Sequence, residues 1–328
     1  MNAITTNSIR FRLCAIYLAL STIAITSNAQ NYPSRSIRLI VPFSPGGGTD
    51  TLSRILAPKL NESLGQSVII ENHPGASGQI GTDIIARAKP DGYTIGFIDT
   101  SLTSNPSLYR KLPYDTEKDF SGISLLASAP VILIVHPSLP VITLSEFITF
   151  AKARPGQLNF ATGGTGSATH LGVELFKSVT GIQLVHIPYK GSGPAAAAIL
   201  GGQVVMTFAS PSATSAHITR GRLRALAITA QKRIPALPNI ATFTELGLHG
   251  VDSGTHWVSI APVATNKDIN NILSQQINKI LQIPDIQTKL INLGFNSIGS
   301  TPEECTTHIR LEIKKWTDVV KRAKIVID

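Results

Sequence analysis

The chain has 328 residues, with 29 Lys and Arg against 20 Asp and Glu for a formal charge of +9, and two cysteines. The basic residues are scattered, in runs no longer than pairs such as Lys314-Lys315 or Lys321-Arg322, which argues against the clustered basic groove with interleaved aromatics that nucleic acid requires. A chain of this length buries a large core and commonly divides into two domains.

Residues 1–29 read as a signal peptide. Arg10 and Arg12 stand in a polar start, 13–25 is an apolar run too short to span a bilayer, and Ser27-Asn28-Ala29 fits small-x-small cleavage near Ala29. Cys14 lies inside the apolar run rather than at its end, against a lipoprotein anchor. The mature protein is therefore expected to be exported, with 27 basic against 20 acidic residues, and Cys305 as its one cysteine precludes an internal disulfide.

The first structural unit is a strand over 36–41, the turn Pro42-Phe43-Ser44-Pro45-Gly46-Gly47, and a helix carrying Leu52, Ile55, Leu56, Leu60 and Leu64 at helical spacing. A helix start leaves its first backbone N–H groups without intrahelical partners, glycines let another molecule approach them, and the helix dipole favours negative charge there. The same residues also make an ordinary tight βα turn. Asp50 reads as a first-turn acid stabilised by that dipole.

Strand, loop and helix then alternate. A strand over 67–71, a loop over 72–78 and a helix over 80–88 lead to a strand over 93–98 whose end carries Asp99, Thr100 and Ser101. The apolar run 123–135 predicts one long buried strand crossing between domains, followed by a helix over 143–153 capped by Thr143 or Ser145. The strand 158–162 opens into Gly163-Gly164-Thr165-Gly166-Ser167-Ala168-Thr169-His170, a second glycine- and hydroxyl-rich helix start. Strands at 184–187, 204–209 and 223–229 alternate with helices at 194–200 and 213–219. The last part is expected to be helical. Thr301-Pro302-Glu303-Glu304 forms a capping box, and Cys305, Ile309, Ile313, Trp316, Val320 and Ala323 line one face of a closing helix, making Cys305 a core thiol.

Alternation of this kind implies parallel sheets covered on both faces, with ligands at the carboxyl ends of strands, where both glycine-rich loops fall. A cleft between them, rich in N–H and hydroxyl donors and without clustered acids, suits a small organic anion. Tyr189 and Lys190 at one strand end and Ser210 at the next are candidates to join it, and His170 is a candidate donor to a carboxylate. There is no G-x-S-x-G, Walker A, G-x-G-x-x-G or H-E-x-x-H sequence, and the eight histidines show no metal-ligand spacing. Neither a cofactor nor a metal site is expected, and an exported receptor is favoured over an enzyme. The alternatives are an exported enzyme using Ser167 or Lys190 on a carboxylate, or a sensor whose closed form docks on a signalling partner.

The chain resembles the Bug-type substrate-binding proteins of tripartite tricarboxylate transporters over nearly all of its mature length. The resemblance rests on the stretch from Val41 to Asp50, on Glu71-Asn72-His73-Pro74-Gly75-Ala76-Ser77-Gly78, on Lys89-Pro90-Asp91-Gly92-Tyr93-Thr94, on Leu112-Pro113-Tyr114-Asp115 with Asp119-Phe120, on the loop from Ala161 to Leu171, and on Pro188-Tyr189-Lys190-Gly191, in that order. It implies an α/β, two-lobed periplasmic-binding-protein fold (type II-like), each lobe a mostly parallel sheet flanked by helices. Lobe 1 would be 30–131 and 254–328, and lobe 2 132–253. It also implies a monomeric periplasmic receptor that delivers a carboxylate to inner-membrane permease subunits, the carboxylate held by backbone groups and ordered waters. The resemblance places that carboxylate between Phe43, Ser44, Pro45, Gly46 and Gly47 of the first loop and the stretch Thr162 to His170 of the second, where Thr162, Gly166, Ser167 and His170 are the candidates; Thr100, Ser101, Tyr189, Lys190 and Ser210, at strand ends, complete the expected ligand-binding set. The chain departs from the family pattern at Val205, where an acid is frequent, and at Trp257-Val258-Ser259, where Trp-x-Gly is common.

Overall fold

A computed structural model describes residues 32–322 and 325. The signal-peptide reading of 1–29, its cleavage near Ala29, and Ala323 lie outside the described residues. No helix among those described is long and apolar enough to cross a membrane.

Two sheets organise residues from Arg35 onward. In the first, β1 (Ile37–Val41), β2 (Val68–Asn72) and β3 (Thr94–Ile98) are parallel, and β4 (Phe120–Pro130), β10 (Gly254–Pro262) and the two-residue β11 (Asn296–Ser297) extend it antiparallel, in the order β11-β4-β10-β3-β1-β2. In the second, β6 (Asn159–Thr162), β7 (Val185–Pro188) and β8 (Met206–Ala209) are parallel, and β5 (Ile132–Val135) lies antiparallel to β8 and to β9 (Arg224–Ile228), in the order β7-β6-β8-β5-β9. Both sheets are thus mixed rather than mostly parallel. The parallel strands are joined by helices, as βαβ units require. The chain runs from β4 through Val131 straight into β5 and returns on β10, so a strand entering from the other sheet arrives with reversed polarity.

The run 123–135 is accordingly two strands rather than one. The last part is not wholly helical either, because β10 supplies a long strand there. Its sequence, GTHWVSIAP, is buried from Trp257 to Pro262 and shows no alternation to announce a half-exposed strand.

The helices cover the sheets. They are α1 (Gly48–Leu64), α2 (Gln79–Ala86), α3 (Ser101–Leu108), α4 (Leu144–Lys152), α5 (Ala168–Thr180), α6 (Ser192–Leu200), α7 (Pro211–Thr219), α8 (Lys267–Leu281), α9 (Pro284–Asn292) and α10 (Pro302–Arg322). Helix α4 begins on a capping box: Thr143 Oγ1 accepts from the Glu146 amide at 3.1 Å while the Glu146 carboxylate accepts from the Thr143 amide. Thr301 and Glu304 do the same ahead of α10. Helix α3, with Pro106 inside it, is absent from the sequence-based reading because its polar face and proline hide the periodicity.

Beside the second sheet, Phe147, Phe160, Phe176, Phe208 and Phe243 share one apolar cluster, with the Phe176 ring 6.2 Å from Phe147, 6.0 Å from Phe208 and 5.8 Å from Phe243. Beside the first, Cys305, Ile309 and Ile313 of α10 pack with Ile40, Ile98, Val258 and Ile260. The buried Cys305 thiol is pushed up to about 12 by loss of hydration, so it sits as a small apolar group. Phe176→Ala removes the ring that three other aromatics contact; it is expected to lower stability by about 3–5 kcal/mol, read from guanidinium unfolding midpoints.

Candidate functional site

The site lies between the carboxyl ends of the parallel strands of the two sheets. Strand β1 ends at Val41, and the following turn is tied down from inside. The Asp50 side chain, 4% exposed, accepts from the Gly46 amide at 3.0 Å, from Asn72 Nδ2 at 3.1 Å and from Arg54 Nε at 2.9 Å. Burial alone would raise its pKa, but these three partners hold the carboxyl below its usual range. Asn72 Nδ2 also donates to the Phe43 carbonyl at 2.9 Å. Asp50 therefore clamps the loop and stays out of the cleft.

The second glycine loop is likewise closed on itself. Ser167 caps α5, accepting from the His170 amide at 3.3 Å, and donates to the Gly164 carbonyl at 2.7 Å. His170 Nδ1 accepts from the Gly166 amide at 3.2 Å, and Thr162 Oγ1 lies 2.6 Å from His186 Nε2. The His170 and His186 rings stack at 4.2 Å. Burial lowers their pKa values to about 3 and about 4, so both are neutral at pH 7.

Two chambers lie between these loops. The inner one, about 20 Å³, is lined by Gly47, Gly48 and Thr49 at the start of α1, by Ser167 to Thr169 at the start of α5, by Gly191 and Ser192 at the start of α6, and by Ser210 ahead of α7, together with Phe43, Asp99, Gly163, Thr255 and Trp257. That volume holds about one water-sized group. The outer one, about 290 Å³, is lined by Phe43, Gly75 to Gly78, Tyr109, Gly163 to Thr165 and Pro188 to Lys190. Phe43 and Gly163 belong to both walls.

Of the residues singled out from the sequence, the structure brings Phe43, Gly47, Ser167 and Ser210 to the inner chamber, and Phe43, Tyr189 and Lys190 to the outer. Ser44, Pro45 and Gly46 instead meet the second sheet's loop by backbone: the Ser44 amide donates to the Lys190 carbonyl at 3.0 Å, and Gly193 packs on Pro45 and Gly46. With the Gly46 amide taken by Asp50, two of the amides expected to face a ligand already have partners. Thr162, Gly166 and His170 staple the second loop, and Thr100 holds β10 by accepting from the His256 amide at 3.0 Å. The Ser101 amide donates to Asp99 Oδ1 at 2.9 Å. None of these five lines either chamber.

The sequence-based reading missed Asp99, Tyr109, Ser192 and Trp257. Ser192 had a signal, since Gly191-Ser192 repeats the glycine–hydroxyl helix start. Tyr109, whose hydroxyl donates to Ser77 Oγ at 3.0 Å, had none once α3 was overlooked. Trp257 Nε1 donates to Thr49 Oγ1 at 2.9 Å across 208 residues of sequence, a pairing no local pattern encodes. Burial pushes the Asp99 carboxyl up to about 6, opposed by its hydrogen bonds from Ser101.

Among the described residues one group, His256, His308 and Glu312, brings metal-ligand atoms within 4.8 Å of one another. Within it His256 Nδ1 lies 3.1 Å from His308 Nε2, and Glu312 accepts from Trp316 Nε1 at 3.0 Å and from Lys315 at 3.2 Å.

Two α/β sheets facing one another across an enclosed, donor-lined gap, linked by strands that pass between them, define a solute-binding receptor. The chain belongs to the family described as the tripartite tricarboxylate transporter family receptor, whose pattern matches residues 52–325. It is 38% identical to the protein BugT of Bordetella pertussis over 93% of this chain and 94% of that one. Among solved structures it is similar to the periplasmic binding protein BugD, with a TM-score of 0.87, 32% identity and coverage of 90% of this chain and 99% of that chain. It is equally similar to Rpa4515 of R. palustris, solved with adipate, with a TM-score of 0.87, 34% identity and the same coverage.

A Cβ built on Gly48 would lie 2.7 Å from Trp257 Cζ2. Gly48→Ala is therefore expected to push the indole off Thr49 and weaken ligand binding at least tenfold, seen by calorimetry and by a shift in tryptophan emission. The buried histidines set an acid limit. Their folded pKa values lie below the ordinary 6.5, so the unfolded chain binds protons first and stability falls as pH drops from about 6.5. His256 and His308, also lowered by burial, add to that slope. Glu71, held at about 2 chiefly by its hydrogen bond from Arg38, adds its loss only below about 4.5. His186→Gln should flatten the stability curve between pH 6.5 and 4.5 in chemical unfolding, and an unchanged slope would contradict the buried neutral pair.

Proposed function

We propose that this chain is a periplasmic, non-enzymatic and monomeric receptor that captures a small organic carboxylate between two lobes, the second being 132–253, and delivers it to an inner-membrane permease. The observation that carries this reading is the convergence of four helix N-termini on one small chamber, with a larger one beside Lys190 that shares Phe43 and Gly163 in its wall. Each helix start presents about half a positive charge and unpaired N–H donors. The adipate bound by Rpa4515 supports a dicarboxylate of similar size. Residues 1–29 support export.

Capture requires opening. The contacts between the two sides, Ser44 to Lys190 and Ser104 Oγ to the Gly166 carbonyl at 2.6 Å, describe a closed arrangement. The two crossing connections support a hinge motion that exchanges these contacts for a wider gap. A ligand favours closure only by contacts it makes better in that state. Against the enzyme alternative, the Ser167 hydroxyl is engaged by Gly164 and Thr169, and His170 Nδ1 by the Gly166 amide, so serine and histidine are not arranged as nucleophile and base.

A thermal-shift panel of four- to six-carbon dicarboxylates tests the reading. At 100 times its dissociation constant a ligand adds about 2.7 kcal/mol, a rise of roughly 5 °C for a chain of this size. No shift with any small carboxylate would overturn it.

A further inference from the structure

One cluster of metal-ligating side chains lies apart from the cleft. His256 on β10, with His308 and Glu312 on α10, bring one ligand atom each within 4.8 Å of the others, the one such group of three among the described residues. His308 and Glu312 are four residues apart and so share a face of the helix. His256 comes from 52 residues before His308, which is why no local spacing announces the group. Successive side chains of a strand point to opposite faces. Trp257 accordingly lines the inner chamber, whereas its neighbour His256 lines neither chamber.

We propose that His256, His308 and Glu312 form a binding site for a divalent transition-metal ion of the zinc class, separate from the solute cleft. The ligand types select the ion: two imidazoles and a carboxylate suit zinc, whereas calcium and magnesium take oxygen ligands. The spacing agrees. His256 Nδ1 lies 3.1 Å from His308 Nε2, and two nitrogens held by one tetrahedral zinc at about 2.0–2.1 Å stand roughly 3.4 Å apart. An ion entering between the rings takes a lone pair from each, and the proton of their hydrogen bond moves to the far nitrogen of the ring that carried it. Glu312, 8% exposed, is already oriented: its Oε2 accepts from Trp316 Nε1 at 3.0 Å, as the carboxylates of metal sites are held by donors behind them. Its Oε1 accepts from Lys315 Nζ at 3.2 Å, and the Lys315 side chain is 40% exposed, so the ammonium turns to water when a dication takes that oxygen. The charges around the site favour a cation. Asp252 faces His256 closely enough to favour its charged form, which sets Glu312 and Asp252 against the single ammonium of Lys315. Burial disfavours protonation of both imidazoles, leaving the neutral form that ligates. Both histidines are half-buried, which leaves a path for the ion and a fourth position for water.

The test is isothermal titration of the untagged full chain with zinc chloride at neutral pH, in a buffer free of carboxylates. One zinc should bind per chain with micromolar or tighter affinity, and magnesium chloride at the same concentrations should not bind. His308→Gln and Glu312→Gln should each weaken zinc binding at least tenfold. Glu312→Gln keeps an acceptor for Trp316 and carries the test should His308→Gln fold poorly by circular dichroism. His73→Gln, at the contact between His73 and Glu71 beside β2, should leave the affinity unchanged. Because Trp316 donates to Glu312, zinc should also shift the tryptophan emission of the unmodified chain. Absence of zinc binding, or binding that the folded variants leave intact, overturns the assignment, and neither result touches the receptor reading.

Discussion

Backbone N–H groups at a helix start have no partner within the helix, and buried ones must find one elsewhere. Four such starts, of α1, α5, α6 and α7, surround one small chamber in this chain. The architecture around them follows from that constraint. The loops that precede the helices are rich in glycine and hydroxyl residues because bulkier side chains would fill the space. Asp50 and His170 are drawn back to satisfy loop amides from behind, leaving the front of the gap polar but sparsely charged.

Long-range contacts then seal it. Strand β10 returns to the first sheet between β3 and β4, and its Trp257 closes the chamber by reaching Thr49 at the start of α1. Gly48 accommodates that indole, and Phe295 meets it edge-on with ring centroids 5.0 Å apart. The departure from Trp-x-Gly at residues 257–259 thus leaves an indole in the wall of the site. Strand β5 performs the converse crossing into the second sheet. The outward crossing joins β4 and β5, both inside their sheets, and the return runs from the edge strand β9 to β10, which lies between β3 and β4, so a movement of one half against the other is conveyed to buried backbone.

Much of this was readable residue by residue. The βα periodicity, both glycine-rich loops, Thr143 as a candidate cap of α4, the capping box of α10 and the core position of Cys305 are local properties, set by spacing and turn chemistry within a dozen residues. Strand polarity at β5 and β10 was not, because a run of apolar residues carries no direction. Helix α3 was hidden by Pro106 and a polar composition, and with it went Tyr109. Thr162, Gly166 and His170 were legible as members of a glycine loop, but whether such residues face a gap or brace the loop behind it depends on neighbours such as His186, 24 residues away from Thr162.

The sequence by itself determined the alternating elements, the donor-rich loops and the scarcity of charge around them, since these follow from periodicity, glycine placement and composition. Only the tertiary structure decided which charged side chains meet the gap. Asp50 stands in the first turn of α1 and Asp99 directly after β3, and neither position states whether its carboxylate meets the gap. Gly46 and Arg54 hold Asp50 from within its own turn, but Asn72 of β2 completes the clamp, and the chamber wall in which Asp99 stands is closed by helix starts that only the fold brings to it.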